Sequence, residues 1–138
     1  MSLKLEIITP EKVVFSETVE GVVLPTESGE VGVLPGHIPL LTVVNPGKLQ
    51  VSHEGNLEDI AVDKGFARVL GDTVSVLTEA AIDIEEIDIE EVEAAQKRAE
   101  DALQQARTEK EVDPAEIEKL ESIIRFSIAQ KLTKQKSI

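Results

Sequence analysis

The stretch Leu77-Thr78-Glu79-Ala80-Ala81-Ile82-Asp83-Ile84-Glu85-Glu86-Ile87-Asp88-Ile89-Glu90-Glu91-Val92 is where one kind of chain becomes another. Before it lie all 8 Gly and five of the 6 Pro. Residues 1–84 hold 14 Val and 4 Ala, whereas residues 85–138 hold 2 Val and 7 Ala. Val suits strands, and Gly and Pro punctuate turns. Ala, Glu, Lys, Gln and Leu suit helices. The break between Ile82 and Asp88 therefore separates an all-β part, 1–84, from an all-α part, 85–138, giving an α+β chain.

Upstream of the break, short apolar or alternating runs follow one another: Leu3–Ile8, Lys12–Phe15, Glu20–Leu24, Gly32–Leu34, Leu40–Val44, Lys48–Ser52, Asp59–Val62, Phe66–Leu70 and Val74–Leu77. Turn formers such as Thr9-Pro10, Asn45-Pro46-Gly47, Glu54-Gly55-Asn56 and Gly71-Asp72 bound them. Many short strands at close spacing predict a sandwich or barrel. No helix-length pattern interrupts them, which argues against a parallel βαβ sheet.

Downstream, two helices are expected. The first starts at Asp88, an N-cap with Glu91 three residues on, and carries the stripe Val92, Ala95, Ala99, Ala102/Leu103 and Ala106. The second starts at Asp113-Pro114-Ala115-Glu116 and carries Ile117, Leu120, Ile123/Ile124, Ile128 and Leu132. The short connection Thr108–Val112 predicts an antiparallel hairpin. An Ala-rich seam buries little area, so at ~25 cal/mol per Å² the hairpin would beat rival arrangements by only a few kcal/mol. Such a gap permits an element that opens.

Composition excludes much. The 138 residues suit one average domain, or a small domain with an appendage. A net charge of −13 argues against nucleic acid and anionic lipid as partners. Zero Cys removes disulfides, thiolate metal sites and cysteine nucleophiles. No apolar run exceeds three residues, so no bilayer span is expected, and the first residues show no secretory signal core. Of the imidazoles, only His37 and His53 are available, and neither sits in a metal or nucleophile pattern. Catalysis by this chain and a required cofactor or metal are not expected.

The run Gly29-Glu30-Val31-Gly32-Val33-Leu34-Pro35-Gly36-His37-Ile38-Pro39-Leu40-Leu41-Thr42 resembles the signature loop of the epsilon subunit family of bacterial F-type ATP synthase, whose mitochondrial counterpart is delta. Leu5-Glu6-Ile7-Ile8-Thr9-Pro10, Gly65-Phe66-Ala67-Arg68-Val69 and Val74-Ser75-Val76-Leu77 resemble flanking strands of the same family. The resemblance spans the whole chain. It implies a ten-stranded antiparallel β-sandwich followed by an antiparallel two-helix hairpin. It also implies a non-catalytic rotor subunit, peripheral to the cytoplasmic face of the bacterial inner membrane. The sandwich would bind the gamma subunit and the polar loops of the c-ring, coupling ring rotation to the shaft. The hairpin would be regulatory, extending into the alpha/beta catalytic hexamer to inhibit hydrolysis.

Residue by residue, the resemblance carries Glu30, Val31, Gly32, His37 and Pro39 to the c-ring/gamma interface. Glu30 could pair with a basic ring-loop residue, or be a solvated turn acid of little energetic weight. His37 either faces the ring or gamma, or buttresses its turn. Gly36 suits a Pro-Gly turn at φ > 0. The acidic run Asp83, Glu85, Glu86, Asp88, Glu90, Glu91 and Glu93 is read as a solvated linker and helix start rather than a charged hinge. Arg125, Lys131, Lys134 and Lys136 form a basic tail. They either complement a helix C-terminus or meet acids of the catalytic subunits. Many relatives hold a regulatory ATP through a motif with an Arg and an Ala, where this chain has Glu91 and Val92 after Asp88. Asp88, Arg98 and Arg125 remain as weak nucleotide candidates, but an acid in place of the phosphate-binding base argues against tight binding. A freestanding adaptor with a constitutive hairpin is the competing reading, and co-purification with gamma separates the two.

Overall fold

Alternation of apolar side chains between Leu3 and Thr78 builds most of a ten-stranded sheet, and the computed structural model shows how it folds on itself. The structure describes residues 2–108 and 113–136, without the side chains of 135 and 136. The strands are β1 (Leu3–Ile8), β2 (Val13–Val19), β3 (Gly21–Thr26), β4 (Gly29–Val33), β5 (Leu40–Val44), β6 (Gly47–His53), β7 (Asn56–Val62), β8 (Gly65–Leu70), β9 (Thr73–Thr78) and β10 (Ala81–Asp83). A 3-10 turn, Ile84–Glu86, leads to α1 (Ile89–Thr108) and α2 (Pro114–Lys136). Nine strands fall where the apolar runs predict them. Only β10 escapes that reading, because three residues are too few to show a period.

The strand order is β10-β7-β6-β3-β5-β8-β9-β1-β2, with β4 on the other edge of β3. A single pairing, Thr26 with Val44, joins β3 to β5, so the sheet bends there into two layers. Leu3, Leu5, Ile7, Leu24, Leu49, Ile60 and Val62 meet between the layers with almost no exposure. One expectation is corrected: the sheet is not wholly antiparallel. β1 runs parallel to β9, Leu5 beside Val74 and Ile7 beside Val76. The first strand has no sequential neighbour left on that side, so the long return through the sandwich brings β9 alongside it in the same direction.

The helices begin where their caps predict. Asp88 accepts from the Glu90 and Glu91 amides at 3.0 and 3.3 Å. Asp113 accepts from the Ala115 amide at 2.9 Å. Arg107 reaches Glu121 at 3.6 Å, so the helices run antiparallel. Of the Thr108–Val112 connection, residues 109–112 lie outside the described residues.

α2, not α1, lies on the sandwich, against β6 and β7. The expected stripe of α2 is only half right. Ile117, Leu120 and Ile124 are half-buried, whereas Ile123, Ile128 and Leu132 are exposed. Ser127, Ala129, Gln130 and Thr133 are buried instead. The sheet beneath explains this. Its outer face carries Gln50 and Asp59, hydrogen-bonded at 3.1 Å, beside small Ala61. A polar floor selects a small, polar helix face. The apolar contact centres on Phe126, which packs with Ile82, Ile84, Ile87, Ile89 and Val92 over Ala61.

Candidate functional site

The two outer faces of the sandwich differ. One lies under α2. The other, formed by β5, β8, β9, β1 and β2, is bare. On it Phe66 stands beside Val43 and Leu77, and Leu77 beside Ile8. Phe66 is 57% exposed, Leu77 52% and Leu41 72%. Val13 and Leu70 extend the same apolar surface. Ile8, Pro10, Val43, Phe66 and Leu77 line a groove of about 650 Å³, with Lys64 and Glu79 on its rim. A sheet face open to water should be polar; contiguous large side chains on it mark a docking surface. The apolar runs anticipated these strands but not this face. The available signal was that the outward phase carries Leu41 and Val43 in β5 and Phe66 and Leu70 in β8, with Arg68 the one polar interruption among these five.

The signature motif runs from the β3–β4 turn through β4 and the loop that leads into β5. Thr26 Oγ1 donates to the Gly29 carbonyl at 2.7 Å, closing the β3–β4 turn. Glu30 and Gly32 are exposed beyond it, and Val31 is half-buried against the core. Gly36 has φ 86°, as the Pro-Gly turn requires. The His37 amide donates to the Leu34 carbonyl at 3.1 Å, and His37 Nδ1 lies 2.7 Å from the Ile38 carbonyl oxygen. The ring thus buttresses its own turn. Leu34, Ile38 and Pro39 are exposed around it. Glu30 thus lies at the turn end of β4, and His37 and Pro39 lie in the loop that follows its other end.

Among the described residues, two of the basic side chains of α2, Arg125 and Lys134, have partners in the rest of the chain. Arg125 donates from Nε and Nη2 to the two carboxylate oxygens of Asp63, at 2.8 and 3.2 Å. Its guanidinium is held further above its ordinary value, chiefly by that hydrogen bond and against the opposing effect of burial. Lys134 Nζ donates to the Ile84 carbonyl at 3.2 Å. Lys131 is half-buried, and the Lys136 side chain lies outside the described residues. The weak nucleotide candidates are also dispersed. Asp88 is used as a cap, Arg98 is exposed on α1, and Arg125 is engaged by Asp63. The groove between the helices, about 360 Å³, presents Glu86, Asp88 and Glu91. The acidic run behaves as the linker expected, Asp83 and Asp88 each capping a helical turn.

At the open end of the sandwich, the Glu58 carboxyl faces Asp83. That hydrogen-bond partner first, then burial, then the charges of Asp83, Glu17 and Glu85, push Glu58 up to about 7. His53 Nδ1 lies 3.4 Å from Glu17 in the same cluster. Among the described residues, no group of three or more acids or imidazoles could hold a metal, and no helix is long and apolar enough to cross a membrane.

The family model of the ATP synthase delta/epsilon chain β-sandwich domain matches residues 2–84, which hold all ten strands. The chain belongs to the ATP synthase delta/epsilon family. The ATP synthase epsilon chain of Desulforamulus reducens is 41% identical over 127 residues, 92% of this chain and 96% of the relative. That of Syntrophobacter fumaroxidans is 40% identical over 129 residues, 94% of this chain and 96% of the relative. Among solved structures, a chain of the Euglena gracilis mitochondrial ATP synthase, OSCP/F1/c-ring in rotational state 1, has a TM-score of 0.68 at 25% identity. It is matched over 95% of this chain and 80% of that one. A chain of the Tetrahymena thermophila mitochondrial ATP synthase central stalk and c-ring shares the fold, with a TM-score of 0.60 at 14% identity and 97% of both chains covered. Membership of the delta/epsilon family makes the chain a non-catalytic subunit of the synthase.

Proposed function

We propose that this chain is the rotor-stalk subunit that clamps the gamma shaft to the c-ring of a proton-driven ATP synthase. The observation that carries the reading is the bare apolar face around Phe66, Leu77 and Leu41, on the side of the sandwich that its own helices leave open. That face is the seat for gamma. The signature motif, with Glu30, Val31, Gly32, His37 and Pro39, faces gamma and the polar loops of the ring. There Glu30, exposed beside its turn, can pair with a basic loop residue. The subunit is peripheral, at the cytoplasmic face of the bacterial inner membrane.

The hairpin is the regulatory part. It leaves the sandwich and extends between the catalytic alpha/beta subunits, where Arg125, Lys131, Lys134 and Lys136 meet acidic residues and slow hydrolysis. The exposed Ile123, Ile128 and Leu132 support this, since they have apolar surface to bury elsewhere. No regulatory nucleotide is needed, and the acids lining the inter-helix groove repel a triphosphate.

Co-purification tests the reading. The full chain should bind gamma, and Phe66→Glu with Leu77→Glu should abolish it. Each substitution removes roughly 1–2 kcal/mol of apolar burial and adds a charge that must be desolvated. Retained binding by the double variant would refute the assigned face. A chain ending at residue 84 should still bind gamma yet inhibit hydrolysis less than the full chain.

A further inference from the structure

We propose that the Asp63–Arg125 ion pair is a conditional latch on the hairpin: the buried Asp63 carboxylate permits docking on the sandwich only while Arg125 neutralises it. The docked–undocked balance then depends on whether that buried carboxylate is paired. This deepens the reading of the hairpin as a movable element and rests on it.

Asp63 is 2% exposed, a burial that a carboxylate tolerates only when paired. It lies just past β7, 62 residues from its partner. Its position is built before α2 arrives. The Asp63 amide donates to the Ala80 carbonyl at 2.9 Å, and Thr78 Oγ1 donates to the Asp63 carbonyl at 2.9 Å. The Lys64 amide donates to Asp63 Oδ1 at 2.8 Å. These bonds stay within the sandwich and aim the carboxylate at α2. Arg125 then supplies a two-pronged partner, itself steadied by Ser122 Oγ at 3.0 Å, with Glu79 at 3.9 Å. Fork geometry of this kind is specific to arginine.

The rest of the seam is a weak competitor. Lys64–Glu118 is a 3.5 Å pair between largely exposed side chains. Ser127, Gln130 and Thr133 are polar, Lys134 adds one bond to the Ile84 carbonyl, and Phe126 adds a large apolar contact over Ala61. Undocking lets Asp63 and Arg125 hydrate, which returns much of the free energy of their pairing. The latch is therefore strong in geometry and nearly balanced in energy, as a reversible one must be. Removing Arg125 alone is different. It strands a buried charge in the docked state and costs nothing comparable in the undocked one.

The chain has no Cys, so spin labels at Asp72→Cys and Lys119→Cys, both exposed sites, report docking by their separation in the full chain. The unaltered pair should show one dominant distance. In Arg125→Met the docked-to-undocked ratio should fall about tenfold or more, since an uncompensated buried charge opposes docking. Asp63→Asn combined with Arg125→Met should restore it to within about threefold, because no charge is then stranded. Arg125→Lys should lie between. An unchanged distance in Arg125→Met overturns the proposal. So does failure of the double variant to restore docking, which would make Arg125 merely a residue α2 needs to fold. Hydrolysis by the reconstituted synthase is read separately. Distances that respond as expected, with inhibition unmoved, would leave the latch standing and remove the inhibitory role.

Discussion

Replacing Glu58 by Gln should flatten the pH dependence of this fold, and the sign follows from the cluster around it. The Glu58 carboxyl rises from its ordinary 4.5 to about 7, because its hydrogen bond with Asp83, its burial and the nearby charges of Asp83, Glu17 and Glu85 all favour the protonated form. A raised folded-state value means the folded protein holds this proton more tightly than the unfolded chain. The stabilisation is complete below about 4.5 and is lost as pH climbs through about 7. At ~1.4 kcal/mol per pH unit, that interval sets a ceiling of about 3 kcal/mol. Glu58 is only half-buried, so solvent screening brings the expected effect to about 1 kcal/mol. Glu58→Gln mimics the protonated acid at every pH. Urea unfolding of both proteins from pH 4 to 8, followed by far-ultraviolet circular dichroism, checks this. The two curves should coincide near pH 4, and the variant should be more stable by about 1 kcal/mol at pH 8. The other acids of this chain, net charge −13, impose a slope common to both proteins, which the difference removes. Parallel curves across the range would refute the shared-proton account of the Glu58–Asp83 contact.

Two further outcomes follow from local geometry. Gly65→Ala should destabilise the sandwich by about 3 kcal/mol or more, read as a fall in Tm. A Cβ there would sit 2.8 Å from the Leu77 carbonyl carbon and the Thr78 Cα, backbone atoms that cannot step aside. Calorimetry of the full chain with MgATP should show no micromolar binding, since Glu86, Asp88 and Glu91 line the inter-helix groove and Arg125 is engaged by Asp63. Heat of binding at micromolar affinity would show that Arg125 can leave its partner for a triphosphate.

What was legible in the chain was whatever depends on neighbours in sequence. The caps at Asp88 and Asp113 formed as written, because a side chain two residues from an orphan amide needs no tertiary help. Gly36 took its positive φ for the same reason. The stripe of α2 misled at Ile123, Ile128 and Leu132, because periodicity identifies an apolar face without naming what lies opposite. The floor that α2 meets is polar, and Gln50 and Asp59 come from strands more than sixty residues away. Arg125 was read as part of a basic tail, since nothing near it in sequence announces Asp63.

The order of residues by itself determined the β-then-α division, the strands long enough to show a period, the helix starts and the family, since each is written in local composition or in one contiguous motif. Only the tertiary structure decided that β1 lies parallel to β9, that one sheet face stays bare while α2 covers the other, and that a buried carboxylate ties the two parts together. Those facts are contacts between distant segments. They depend on how the sheet bends at Thr26 and Val44, a geometry that no window along the chain contains.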